Sequence, residues 1–321
     1  MSHPGPAAQR LSAARDPTAL VELVPNVSTG DPTLVASFAD AMQAAGAVVL
    51  DTSSDRWHNR SVITAVAAPS VAVEAACALV AAAREAIDMR EHRGVHPRIG
   101  AVDVIPFVPL REVDMADCVA LARDCAARVA ATHDIPCFLY EHAARRPDRV
   151  TLADIRRGGL ETLQRTIATD PYRRPDTGPS HTHPTFGAVA IGARALLVAF
   201  NVFVGPAAAL PAARHIARTI RASSGGLPGL KAIAVEVDGQ AQVSMNLVDL
   251  ARITLAQAFD AVARQAASHG LEALRGELIG LVPDAAVTPD ALHIPGLDAL
   301  RTRSLEQRLA AAGYPPRVTP G

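Results

Sequence analysis

The chain has 321 residues, of which 49% are apolar, and a formal net charge of −1. That length accommodates two compact domains or one large one, with apolar material for a sizeable core. Near-neutrality argues against a nucleic-acid partner and a membrane-surface role, and Lys231, the single lysine, leaves no lysine for a phosphate loop.

Residues 1–19 are rich in Pro, Ala and Arg, lack the apolar segment of a secretion signal, and read as a flexible leader. An apolar strand is predicted at Leu20 to Pro25, then a helix opening at Asp31 with Pro32 in its first turn. Strands follow near Ala47 to Asp51 and Ser61 to Ala67, then a helix from Pro69 to about Ile87, where Val73, Cys77, Val80 and Arg84 recur at turn spacing. After a loop comes the strand Val102 to Leu110, which completes a βαββαβ order. Asp114 to Thr166 adds two or more helices and the short apolar run Pro136 to Tyr140.

The segment Asp170 to Gly187 is too rich in Pro, Gly and polar residues for a regular element, and the domain boundary is placed in it, at 178/179. The βαββαβ order then repeats. It has a strand within Ala188 to Val204, a helix near Ala207 to Ala222, strands at Leu230 to Val237 and Ala241 to Leu247, a helix at Leu255 to His269, and a strand at Glu277 to Val282. The expectation is an α+β protein of two ferredoxin-like subdomains, 20–178 and 179–290, facing each other across a groove, followed by an extension, 291–321, with a helix near Ala299 to Ala312. Cys77, Cys118, Cys125 and Cys137 form no C-x-x-C pair and read as free thiols of a cytoplasmic protein. No uninterrupted apolar run reaches the length of a membrane span.

Chemistry concentrates in three places. The loop Ile87 to Asp103, IDMREHRGVHPRIGAVD, crowds His92, His96 and three arginines between two apolar segments. A loop imidazole among arginines suits proton transfer on an anionic substrate, and the alternative is a solvated basic loop. The string WHNRSVIT places His58, Asn59 and Arg60 just before a strand, where an amide and a guanidinium can hold a carboxylate, or where the loop is simply capped. In QVSMNLVD, Gln242, Ser244 and Asn246 share one strand face, as a groove lining or a solvated edge. The linker GPSHTHPTFG carries His181 and His183, but a third zinc ligand at characteristic spacing is missing, so no metal is expected. The string SSGGLPG, Ser223 to Gly229, follows a helix and reads as a C-cap and turn.

Taken together, LVELVPNVSTG, HNRSVIT, IDMREHRGVHPRIGAVDVIPFVPL, LADIRRGGLETL, PDTGPSHTHPTFGAVAIGAR, ASSGGLPGLKAIAVEV, AQVSMNLVD and GELIGLVP run in unbroken order from Leu20 to about Pro283. In these strings the chain resembles the formiminotransferase domain family, which comprises glutamate formimidoyltransferase and the formiminotransferase part of formimidoyltransferase-cyclodeaminase. The resemblance implies a folate-dependent enzyme of histidine degradation. It would move a formimino group from N-formimino-L-glutamate to N5 of the co-substrate tetrahydrofolate, in a homodimer with folate between the subdomains. It implies His96 as the catalytic acid/base, matching the histidine of the family's G-E-H-P-R motif. It also implies folate binding by Gly178, Pro179, Ser180, His181, Thr182, His183, Pro184, Thr185, Phe186 and Gly187. Asn59, Arg60, Arg98, Gln242 and Asn246 are the residues expected to bind substrate, a small amidine or amino acid, with Arg60 and Arg98 as carboxylate clamps and Phe186 in the wall beside the folate ring. Val95 and Ser53 stand where the family usually carries Glu and Asp, and Val27 and Thr29 where Phe and Glu are common. A different donor or acceptor, and a folate binder without catalysis, are the alternatives.

Overall fold

The computed structural model describes residues 19–94 and 97–314, so most of the expected leader lies outside the described residues. The chain divides into two compact units after Ala195.

The first unit is built on a seven-stranded sheet. Its first strand is interrupted at Val24 and Pro25 into β1 (Leu20–Leu23) and β2 (Asn26–Val27), because proline has no N–H to give the ladder. The Pro25 carbonyl still accepts from Ile63 N–H. Helix α1 (Pro32–Ala44) opens on Asp31, whose side chain accepts from Thr33 N–H. The hairpin of β3 (Val48–Asp55) and β4 (Arg60–Ala67) runs further than the expected Ala47 to Asp51, since its alternating residues continue in register to the Asp55–Arg60 pair. Helix α2 (Pro69–Ala86) and β5 (Val102–Arg111) follow. Next are α3 (Met115–His133), opened by an Asp114/Asp117 capping box, and β6 (Cys137–Glu141), then the short α4 (Leu152–Ile155) and α5 (Gly159–Thr166). The last strand of the sheet is β7 (Val189–Ala193).

Across this sheet the order is β3, β4, the broken β1/β2, β5, β7, β6. The first four positions are antiparallel and have the order of a split-βαβ sandwich. Beyond them β7 lies parallel to both β5 and β6. The apolar sides of α1, α2 and α3 pack one face through Phe38, Met42, Leu79, Val80 and Val129. A smaller core of Phe138, Tyr140, Ile155, Leu163 and Ile167 covers the other face near β6 and β7. Each such buried large side chain contributes about 1.5–3 kcal/mol.

The strand β7 moves the division between units from the predicted 178/179 to Ala195/Leu196. The apolar run Ala188 to Val204 is two strands in two sheets, because the chain leaves the first sheet at Arg194, whose N–H donates to Phe107 O. Apolar periodicity is the same on either side of that break.

The second unit carries β8 (Val198–Pro206), α6 (Leu210–Ile220), β9 (Leu230–Val237), β10 (Gln240–Leu247), α7 (Leu255–Ser268) and β11 (Arg275–Ile279), in the predicted βαββαβ order. Its sheet order is β11, β8, β10, β9. Phe200, Val202, Val243, Met245 and Leu247 pack under Ile216, Ile220 and Val262 of the helices. Residues 291–314 are not a free tail: Ala291, Ile294, Leu297 and Leu300 enter this core, and α8 (Leu305–Ala311) follows from a Leu305 N–H bond to Val282 O. No described helix is long and apolar enough to cross a membrane.

Candidate active site

Three segments that are distant in sequence are joined in the first unit. The turn before β4 places Asn59 at φ 47°, a left-handed conformation that asparagine tolerates. Its amide is spent on the backbone, with Oδ1 accepting from Gly30 N–H at 2.8 Å and Nδ2 donating to Arg93 O at 2.8 Å. It therefore ties the loop after β2 to the histidine loop. Ser28 Oγ adds a 2.7 Å bond to Gly100 O. At Gly94 a Cβ would stand 2.5 Å from His58 O, so the histidine loop lies directly on the turn only because that residue is glycine.

The linker joins the same place. Met89 N–H donates to Thr185 O, Ala101 N–H to Phe186 O, and Ala188 N–H to Ile99 O. Gly178 to Thr185 lies at or near the surface, with His183 Nδ1 accepting from Phe186 N–H at 3.1 Å. Phe186 is fully buried in the main core, so its ring anchors the segment and presents no face to a ligand. No group of three His, Cys, Asp or Glu side chains among the described residues has the geometry of a metal site.

Together these elements surround a cleft lined by Val27, Ser28, His58, Asn59, Arg60, His92, Arg98 and Asp103. Arg98 is committed on two sides, its Nε donating to His92 Nδ1 and its Nη2 to Glu161 Oε1, both at 3.0 Å. His92 Nε2 lies 3.1 Å from Asn59 O. An imidazole that accepts at Nδ1 carries its proton at Nε2 and is neutral, which agrees with the downward shift of its pKa by burial and by the nearby Arg98 and Arg93. His92 is thus a fixed brace between loops.

Arg156 pairs through Nη2 with the buried carboxylate of Asp103, whose other oxygen accepts from Ile99 N–H at 2.9 Å. Arg60 donates through Nη2 to Asn26 Oδ1. Desolvation, with the like charge of Arg156 second, lowers the Arg60 pKa to about 10, so it remains cationic at neutral pH. Its Nε is sealed from solvent without a hydrogen-bond partner, and among the described residues it forms no ion pair. Asp103 and Asp55 act on it through space without bonding it directly, and a desolvated guanidinium with no directly bonded carboxylate is equipped to take an anionic substrate group. On the rim, His58 Nδ1 stands 2.5 Å from Asp55 Oδ2.

Of the expected site residues, the structure gathers Asn59, Arg60, Arg98 and the linker around the histidine loop. His96, together with Val95, lies outside the described residues. Gln242 and Asn246 belong to β10 of the second unit. Asp55, Asp103 and Arg156 had no role assigned from sequence. The available signals were the carboxylate three residues before His58 and the paired arginines of LADIRRGG.

Comparison with known proteins accounts for both units. The family profile "Formiminotransferase domain, N-terminal subdomain" matches residues 20–194, and "Formiminotransferase domain" matches 199–295. A glutamate formimidoyltransferase of Thermoplasma acidophilum is 43% identical over 87% of this chain and 94% of that protein. One of Streptococcus pyogenes is 40% identical over 84% and 90%, respectively. The formimidoyltransferase-cyclodeaminase of Rattus norvegicus is 38% identical over 90% of this chain but only 55% of its own length. With profiles and relatives spanning both units in order, the chain belongs to the formiminotransferase family.

Proposed function

We propose that the protein is a folate-dependent formimidoyltransferase acting on N-formimino-L-glutamate, with tetrahydrofolate as co-substrate. The observation that carries this reading is the 43% identity to a glutamate formimidoyltransferase over 94% of that relative's length. The buried Arg60 guanidinium, whose Nε has no hydrogen-bond partner, supports an anionic donor.

In this reaction the N5 lone pair of tetrahydrofolate attacks the amidine carbon of the donor. The N5–C bond forms, and the N5 proton passes to an imidazole. The bond from that carbon to the glutamate nitrogen then breaks, and the departing nitrogen takes the electron pair and the proton, leaving as an amine. His96 is the acid/base in this scheme on the strength of its motif. His58, held by Asp55 on the rim of the cleft, is a second proton carrier. Arg60 grips a donor carboxylate, Arg98 holds the loop through His92, and the surface-lying part of 178–187 receives folate. Four unbonded cysteines support a reducing cytoplasm. Homodimerisation is part of the proposal and is checked by light scattering.

The test is incubation of the purified chain with N-formimino-L-glutamate and tetrahydrofolate, with 5-formiminotetrahydrofolate followed by mass spectrometry. Turnover that disappears in His96→Ala is expected. Tight folate binding without turnover, indifferent to His96→Ala, overturns the reading. Ser53 and Val95, at positions usually acidic in the family, favour a second reading, in which a different donor is used. Turnover with another amidine but not with formiminoglutamate selects it.

A further inference from the structure

The two long helices of the second unit carry a histidine pair that neither the core nor the proposed reaction uses. His215 stands on the exposed side of α6, and His269, also exposed, ends α7 as its C-cap. Their rings meet edge to face, with centres 5.1 Å apart and planes at 72°. Neither ring has a hydrogen-bond partner among the described residues, so the ring nitrogens are left to solvent and to each other.

A neutral imidazole offers one nitrogen lone pair to a transition-metal ion. Two imidazoles bound to one tetrahedral ion through nitrogens at about 2.0–2.1 Å hold their ring centres about 5 Å apart, which is the spacing of this pair. The surroundings select the kind of ion. The last turn of α7 has no basic side chain, so the partial negative charge of its free carbonyls lies beside His269 uncompensated and favours a cation. Arg218, one turn beyond His215 on α6, opposes any cation. An ion held here must therefore gain from bonds to nitrogen what it loses to that charge. Calcium and magnesium take oxygen ligands and gain nothing from the rings, whereas zinc and its neighbours bind imidazole. No third His, Cys, Asp or Glu completes the pair among the described residues, so water fills the remaining positions on such an ion.

We propose that His215 and His269 form a two-point site for a divalent transition-metal ion of the zinc kind, which ties the C-terminal end of α7 to α6. The site lies wholly within the second unit and is independent of the transfer reaction.

Equilibrium dialysis of the full chain, His215→Gln, His269→Gln and the double variant against zinc chloride at neutral pH tests it, with bound metal measured by plasma mass spectrometry. Melting temperatures recorded without metal show that the exposed substitutions leave the fold intact. The wild-type chain is expected to hold one equivalent of zinc that each single variant lacks, and the double variant to lose no more than either, because two-point binding fails with the loss of one ring. Magnesium chloride in place of zinc is expected to show no difference between the proteins. A single variant that takes up as much zinc as the wild type, or a wild type that takes up none, overturns the site. Magnesium uptake that disappears in the same variants overturns the choice of ion.

Discussion

His58 and Asp55 are joined twice: the ring Nδ1 lies 2.5 Å from Asp55 Oδ2, and the His58 backbone N–H donates to Oδ1 at 2.9 Å. Burial alone would raise the Asp55 pKa, but the bonds from His58 and its charge bring the carboxyl below its ordinary range. An ionised Asp55 holds the proton at Nδ1 and makes Nε2 the basic nitrogen. His58→Gln is expected to lower kcat by about 10²-fold. Asp55→Asn is expected to lower kcat as well, because the ring loses the carboxylate that orients it. Unchanged kcat in both variants, with the fold retained by circular dichroism, removes His58 from the chemistry.

Acid is expected to destabilise the protein through histidines that the fold holds neutral. Burial is the first cause lowering the pKa of His92, His133 and His183, with neighbouring arginines adding to it. Below the unfolded value of about 6.5 the unfolded chain binds more protons than the folded one. This stabilisation is therefore complete above that pH and is lost as pH falls through the lower folded values. Melting temperature should fall as the pH drops below about 6.5. In His92→Gln the amide can accept from Arg98 and donate to Asn59 O without titrating, so the slope should be shallower. An equal slope places the acid sensitivity in other groups.

Asp103 neutralises Arg156 and moderates Arg60 from a position that is almost wholly buried. Removing one partner of a buried pair leaves the other charge without compensation, at a cost of about 3–5 kcal/mol. Asp103→Asn should therefore shift the urea midpoint by that equivalent while leaving the denaturant slope unchanged. A shift below about 1 kcal/mol, typical of a surface pair, shows that water reaches the guanidinium cluster.

Gly94→Ala should separate activity from stability. The new Cβ would stand 2.5 Å from His58 O and 3.0 Å from Asn59 Cβ, so the histidine loop must lift from the turn. No large apolar group is uncovered. A displacement of about 1 Å at the reacting groups can cost about 10²-fold in rate. The expected result is a strong fall in kcat with a small change in melting temperature, and full activity in Gly94→Ala removes that contact from the geometry of the site.

Much of this architecture is legible in the sequence, because it rests on local signals. Asp31-Pro32 marks a helix start, and Val243, Met245 and Leu247 alternate with Gln242, Ser244 and Asn246 as the sheet requires. The fate of Ala188 to Val204 is not legible in this way, since periodicity reports that a residue faces a core but not which sheet it joins. The candidate site divides along the same line. The His58 to Arg60 string and the histidine loop announce themselves by composition. The partners that set their roles come from remote segments, as with Arg156 on Asp103 and Glu161 on Arg98. The two amide bonds to Glu277 arise only from three strands meeting, Asn201 of β8 and Gln242 of β10 on Glu277 of β11.

Because β6 and β7 are adjacent parallel strands, the whole stretch from His142 to Ala188, including 178–187, is a crossover that begins and ends in one sheet. A chain growing from its N-terminus can hold the proposed folate segment in place only after β7 has been made and has paired. Folding of the first sheet and completion of that segment are then one event. A compound bound by the segment would raise the melting temperature of the seven-stranded sheet as a whole, and cutting the chain within 178–187 would cost the sheet its seventh strand as well as the loop.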